Sequence, residues 1–188
     1  SDSNAVAIGA GAYHSMVIED NGCIIICACS DFYNRGQCSI PEGEFFVAVD
    51  GGKGHSVGLR NDGSMATWGG GAGAAENMPT QKDFIAVDSG LYHCLGLTVQ
   101  GTVEAWGDNN SGQCDIPHEE LDSSVVHIAA GGWSSYAIKS DGNIVVWSQD
   151  RDRDDVPREG PFFAIAAGTN HCVAIKTEGL CHSDLNAD

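Results

Sequence analysis

Short apolar runs of four to six residues, each cut off by Gly, Asn or Asp, recur along this chain, and no stretch sustains an apolar period near 3.6. Phe84-Ile85-Ala86-Val87 ends at Asp88-Ser89-Gly90, and His93-Cys94-Leu95-Gly96-Leu97 ends at Gln100-Gly101. Thr102-Val103-Glu104-Ala105-Trp106 then alternates polar and apolar before Gly107 and the turn-rich Asp108-Asn109-Asn110-Ser111-Gly112. Runs this short, bounded by turn residues, predict strands joined by tight turns and little helix. Asn21-Gly22, Asp62-Gly63 and Asp141-Gly142 predict two-residue hairpin turns, because Gly and Asn accept positive φ.

The pattern repeats. Gly11/His14, Gly52/His55, Gly90/His93, Gly131/Ser134 and Gly168/His171 are each followed by a second glycine, at Gly22, Gly63, Gly101, Gly142 and Gly179. Successive starts lie 41, 38, 41 and 37 residues apart, a period that means stacked supersecondary units. Apolar anchors keep the register: Ile8, Val49, Val87, Ile128 and Ile165 before the first glycine, and Ile18, Leu59, Leu97, Ile138 and Ile175 after the His or Ser. Trp68, Trp106 and Trp147 follow the second glycine at one spacing, where the first unit has Cys27. A unit of three or four short strands cannot bury both sheet faces alone, so neighbours must pack face to face. Radial packing of such units is a β-propeller. The chain is therefore expected to be all-β, a propeller or propeller segment of about five short-repeat blades in one repeat domain spanning 1–188. The units run over about 5–43, 44–82, 83–122, 123–160 and 161–181, the last stopping before its third strand.

Ile8 to His14 and its counterparts, then Asp-Gly, then Trp106-Gly107 and Asn109-Asn110-Ser111-Gly112-Gln113 make a pattern that resembles the regulator of chromosome condensation repeat. Asn34-Arg35-Gly36-Gln37-Cys38-Ser39-Ile40-Pro41 matches its connecting loop again, and the likeness runs from about Val6 to Gly179. The repeat length is similar to the compact branch that includes the second type of β-lactamase inhibitor protein. The family usually builds seven blades. The five units here either close as an unusual ring, form an open arc, or belong to a longer chain. The second unit lacks the Asn-x-x-Gly-Gln loop and carries Gly69 to Ala75 instead, where mobility is expected.

Composition narrows the function. Acidic residues number 26 against 9 basic ones, a formal charge of −17, which repels phosphate backbones and anionic lipid. No apolar run approaches the roughly 20 residues of a membrane span. The expectation is a protein partner or larger complex, with no nucleic acid and no direct membrane insertion. The chain begins at Ser1 with no methionine and no signal peptide, as a processed, trimmed or partial sequence would. Of the eight cysteines, Cys38 matches Cys114 and Cys94 matches Cys172 in other units, too distant to bridge. They therefore read as reduced, which favours an intracellular site, cytosolic or inside an organelle.

Candidate chemistry is sparse. His14, His55, His93 and His171 would make a metal or ligand ring if they converged on an axis. Ser134 in the fourth unit favours a structural role instead, each side chain fixing its own loop to backbone. Cys23, Cys27 and Cys29 share strand parity, with Cys181 and His182 nearby if the ring closes; they read as small core residues before a zinc or redox set. Asp150 to Asp155 alternates with arginines and lacks the Gly and Glu of an EF-hand, so it reads as a solvated loop. The glycine stretch at 69–73 lacks the Gly-Lys-Ser/Thr of a phosphate cradle. No Ser/His/Asp or Cys/His set stands outside the repeat signature, so no catalytic residue and no cofactor is assigned.

Surface recognition is left. Inside the fixed frame the residues preceding the His or Ser vary: Tyr13, Gly54, Tyr92, Trp133 and Asn170, with Ala12, Lys53, Leu91, Gly132 and Thr169 beside them. Variable loop tips on a constant frame are what a binding surface looks like. In the similar inhibitor branch, aromatic residues on these loops engage a protein partner. The chain therefore reads as a non-enzymatic interaction module, an accessory or scaffold subunit docking through Tyr13, Tyr92 and Trp133, with Lys53 and Asn170 beside them. Net charge adds complementarity to a basic surface. The alternatives are a guanine-nucleotide exchange factor-like regulator, as the founding member implies, and a redox or metal protein using the first-unit cysteines.

Overall fold

The computed structural model describes residues 4–70, 77–148, 156 and 160–176. Each of the first four repeats folds as a three-stranded antiparallel meander. The strands are β1 (Ala5–Ala10), β2 (His14–Glu19) and β3 (Ile24–Cys29), then β4 (Ala48–Gly51), β5 (His55–Leu59) and β6 (Met65–Gly69). β7 (Phe84–Ser89), β8 (His93–Thr98) and β9 (Val103–Gly107) form the third blade, and β10 (Val125–Ala130), β11 (Ser135–Lys139) and β12 (Ile144–Trp147) the fourth. The fifth contributes β13 (Phe162–Ala167) and β14 (Cys172–Lys176). Among the described residues the one helical element is a 3₁₀ turn at Asp31–Tyr33. The fold is all-β, with the blades set radially: Gly11, Gly52, Gly90, Gly131 and Gly168 all line one axial cavity of about 230 Å³.

The hairpin turns are longer than predicted. Arg60 N donates to Ser64 O at 2.8 Å and Gly63 N to Arg60 O at 3.0 Å, so only the glycine takes positive φ, +78° at Gly63 and +81° at Gly22. The preceding Asn or Asp serves through its side chain. Asp62 Oδ1 accepts from Ser64 N at 3.0 Å, and Asn21 Oδ1 from Cys23 N at 2.8 Å.

Blades pack front to back through four apolar clusters. Met16, Ile18 and Ile24 of the first blade meet Phe46, Val49 and Trp68 of the second. Val57, Leu59 and Met65 meet Phe84 and Trp106, and Leu95 and Leu97 meet Val125, Ala137 and Trp147. Tyr136, Ile138 and Ile144 meet Phe162, with Ile165 and Ala174 beside it. Two anchors depart from expectation: Ile8 is 78% exposed and Ile175 52%. Ile8 lies on the outer face of the first blade and Ile175 on that of the fifth. No packing comparable to the four interfaces joins these two faces, so the described blades form an open arc.

The first-unit cysteines also depart from expectation. Opposite β2, Ser15 pairs with Ala28 and Met16 with Ile26, so Cys27 is an extra residue in a β-bulge. The bulge breaks the common parity of Cys23, Cys27 and Cys29. Cys27 and Cys23 are exposed, and Cys27 does not replace the buried Trp. Cys29 is bonded to Cys38 in the following loop, so the eight cysteines are not all reduced. The bond runs within one unit, which comparison between units does not reveal, and it removes the cysteine argument for a reducing compartment. The glycine stretch past Gly70, Asp150 to Asp155, Cys181 and His182 lie outside the described residues.

Candidate functional site

The loop between the first two strands of each blade stands at the same end of the molecule, and the Gly-x-x-His register has a steric cause. A Cβ on Gly52 would lie 2.1 Å from the His55 ring, and one on Gly90 2.3 Å from the His93 ring. The imidazoles lie across their own glycines and reach the next blade. His14 Nε2 is 2.8 Å from Ser56 Oγ, and Ser56 Oγ donates to Gln37 O at 2.9 Å. The hydroxyl proton is thereby committed, so His14 Nε2 carries the proton and donates. His93 repeats the arrangement with Ser135 Oγ at 2.9 Å, whose proton goes to Gln113 O at 2.7 Å. His55 Nε2 lies 2.8 Å from Ser89 Oγ. These histidines tie blade to blade through a hydroxyl, not their own loop to backbone. His171 is exposed, since no following blade meets it among the described residues.

The same carbonyls explain the connecting-loop motif. Gln37 O accepts the Trp68 indole N–H and Gln113 O that of Trp147, each at 2.8 Å. Both glutamines are fully buried, so each loop clasps the blade that follows it. Burial lowers His14 and, with the neighbouring imidazole, holds His55 and His93 down to about 4.

Two carboxylates sit beside this ladder. Asp50 Oδ2 accepts from Ser89 N at 2.9 Å and Asp88 Oδ2 from Ala130 N at 2.6 Å, and the two carboxyls interact with each other. Burial raises both, and the Asp50 charge pushes Asp88 well up, so the pair retains a proton where isolated carboxylates have lost theirs.

The outer rim of the same end carries the aromatic side chains. Lys53 Nζ donates to Tyr92 Oη at 2.6 Å and lies 5.1 Å from that ring's centroid. The Tyr92 hydrogen bond raises the Lys53 ammonium above its ordinary value. Tyr92 packs on Trp133 with ring centroids 5.1 Å apart, and Trp133 is 40% exposed. The structure thus joins Lys53, Tyr92 and Trp133, from three successive blades, in one contact chain. Tyr13 stands in a second group, stacked on Tyr33 at 4.2 Å, with Phe32 6.4 Å from Tyr33 and 95% exposed. Asn170 is exposed on the fifth blade, outside both groups.

Phe32, Tyr33 and Arg35 were not among the sequence candidates. Their signal was available: counted back from the loop glutamines, Phe32 and Tyr33 fall where the third unit has Asp108 and Asn109. Ser30 N donates to Tyr13 O at 2.9 Å, which brings this loop onto the blade end. Among the described residues no group of three or more His, Cys, Asp or Glu side chains is placed to hold a metal ion. With Cys29 bonded to Cys38, the first-unit cysteines do not form a three-thiol set.

Residues 84–113 match the family model of the regulator of chromosome condensation (RCC1) repeat. The repeat is of the RCC1 type. Solved structures show the same propeller fold. The CRINKLY WD40 ectodomain of the receptor kinase ACR4 from Arabidopsis thaliana superposes with a TM-score of 0.71 at 22% identity, covering 95% of this chain and 69% of that one. Human WBSCR16 gives 0.72 at 18% identity, with 94% and 60% covered. Prp20p from Saccharomyces cerevisiae, described with its binding to Gsp1p and histones, gives 0.71 at 19%, with 93% and 56% covered. The chain thus spans a little over half to about two thirds of these relatives. No curated protein matches it in sequence. Among the described residues no helix is long and apolar enough to cross a membrane.

Proposed function

We propose that this RCC1-type propeller segment is a non-enzymatic protein-binding module, an accessory or scaffold subunit that docks on a larger partner through its loop face. The reading is carried by one observation: Lys53, Tyr92 and Trp133, supplied by three different blades, meet in a single partly exposed cluster at the end where the repeats converge. Tyr and Trp combine apolar area with a polar edge, and such clusters supply most of the binding energy of protein interfaces. The imidazole ladder beneath is committed to holding blades together, which leaves the rim free to vary.

The test is size fractionation of a gentle lysate containing either the parent chain or Trp133→Ala, with mass spectrometry of the co-migrating proteins. The parent is expected to travel in an assembly much larger than 19.7 kDa. The variant should leave that assembly, with affinity reduced by about 2 kcal/mol or more and melting unchanged. Retention of the variant in the same assembly would overturn the reading.

A further inference from the structure

Six lysines and arginines are described, and three of them are held in ion pairs. Arg60 pairs with Glu44, Lys82 with Asp62 at 2.8 Å, and Lys139 with Asp141 at 3.3 Å, while Lys176 lies over the Phe162 ring at 4.9 Å. Among the described residues Arg35 and Lys53 have no carboxylate within salt-bridge distance, and both stand on the aromatic loop face. They are close together. A Cβ on Gly54 would lie 3.0 Å from Arg35 Cδ, so the Arg35 stem crosses the residue next to Lys53. Lys53 is aimed by the Tyr92 hydroxyl, and Arg35 stands two residues beyond the Tyr33 that stacks on Tyr13. Asp108, which accepts from Gln113 Nε2 at 2.9 Å and from Asn110, and Asp31, in the turn that ends at Tyr33, form no ion pair with them among the described residues.

In a chain with 26 acidic and 9 basic residues, Arg35 and Lys53 bring two cations side by side between two aromatic groups, a local concentration of positive charge. Resting on the docking face proposed above, we propose that the segment it takes is acidic: a stretch of a protein partner bearing Asp or Glu, its carboxylates on Arg35 and Lys53 and its apolar side chains on Tyr92 and Trp133. The guanidinium offers a bidentate fork and the ammonium a fixed charge, so carboxylates are recognised by charge-assisted hydrogen bonds. This is opposite to the basic partner that net charge alone predicts.

A random-peptide display library panned on the full chain tests it. Enriched peptides are expected to carry more Asp and Glu than the input. A synthetic peptide from that set should lose affinity about tenfold or more on Arg35→Glu or Lys53→Glu, and on Trp133→Ala, with melting temperatures unchanged. Enrichment of basic or uncharged peptides, or affinity indifferent to charge reversal, would overturn the acidic class. If Trp133→Ala still weakens such peptides, the docking face stands and only the partner chemistry falls. If no substitution matters, both fall, and a library that yields no binder overturns the acidic segment as well.

Discussion

Ile138 and Ile175 occupy the same position of consecutive repeats, yet the first is 0% exposed and the second 52%. Truncation to Ala removes three side-chain carbons at either site. At Ile138 all three leave the cluster of Tyr136, Ile144 and Phe162. At about 0.8 kcal/mol each, transfer alone costs roughly 2.4 kcal/mol. The cavity left between two packed blades raises the expected loss to about 3–4 kcal/mol. At Ile175 half the surface is already in water and no described blade lies above it to leave a void, so about 1 kcal/mol is expected. Urea unfolding followed by fluorescence of the buried Trp68, Trp106 and Trp147 measures both, with stability taken from midpoint and slope. Fraying of the last blade alone would show as a changed slope. Equal losses of about 3 kcal/mol at the two positions would refute the open arc, because something in solution would then cover the fifth blade. A loss below about 1 kcal/mol at Ile138 would refute the front-to-back core.

Two titrations should limit the stable pH range from opposite sides. His55 and His93 fold neutral with values near 4, below the ordinary 6.5, so their contribution is complete above about 6.5 and is lost as pH falls toward 4. Asp88 is raised, so its contribution is complete below the ordinary carboxylate range and is lost as pH climbs through its raised value. Asp88→Asn keeps an acceptor for Ala130 N and a donor toward Asp50, and should raise stability at pH 7 while leaving it unchanged near pH 3; thermal melts across pH check this, and a loss at pH 7 would count against the shared proton. Replacing Cys29 and Cys38 by Ser opens a link of sequence separation 9 and should cost about 2–3 kcal/mol in urea unfolding, with no change expected if the thiols are never joined.

The blade architecture was readable because it is written several times. Gly52, Gly90 and their counterparts each stand where an imidazole crosses the backbone, so any one spacing is checked by the others. Apolar positions four after the His or Ser predict the core at Ile18, Leu59, Leu97 and Ile138, and fail only at Ile175, where the covering neighbour is missing among the described residues. Burial there belongs to the pair of blades, not to the strand. Cys27 failed for a local reason: one inserted residue reverses every side chain beyond it, and nothing in the apolar run Ile24-Ile25-Ile26 announces a bulge.

The loop face was legible only in part, for the opposite reason. A binding residue is one that does not repeat, so each occurs once and no second copy corrects the reading. Variation at Tyr13, Tyr92 and Trp133 marks where the frame permits change, but it does not say which loops meet. Lys53 meets Tyr92 because neighbouring blades bring their first loops together, and Tyr33 meets Tyr13 because the first connecting loop folds back over its own blade. Charge is subject to the same limit. A net charge of −17 is a sum over the whole surface, while a partner docked as proposed meets only the rim. Among the described residues, ion pairs hold three of the four cations away from this face, so the two left open on it bear on its sign. That sign depends on which side chains the fold leaves unpaired, and composition carries no record of it.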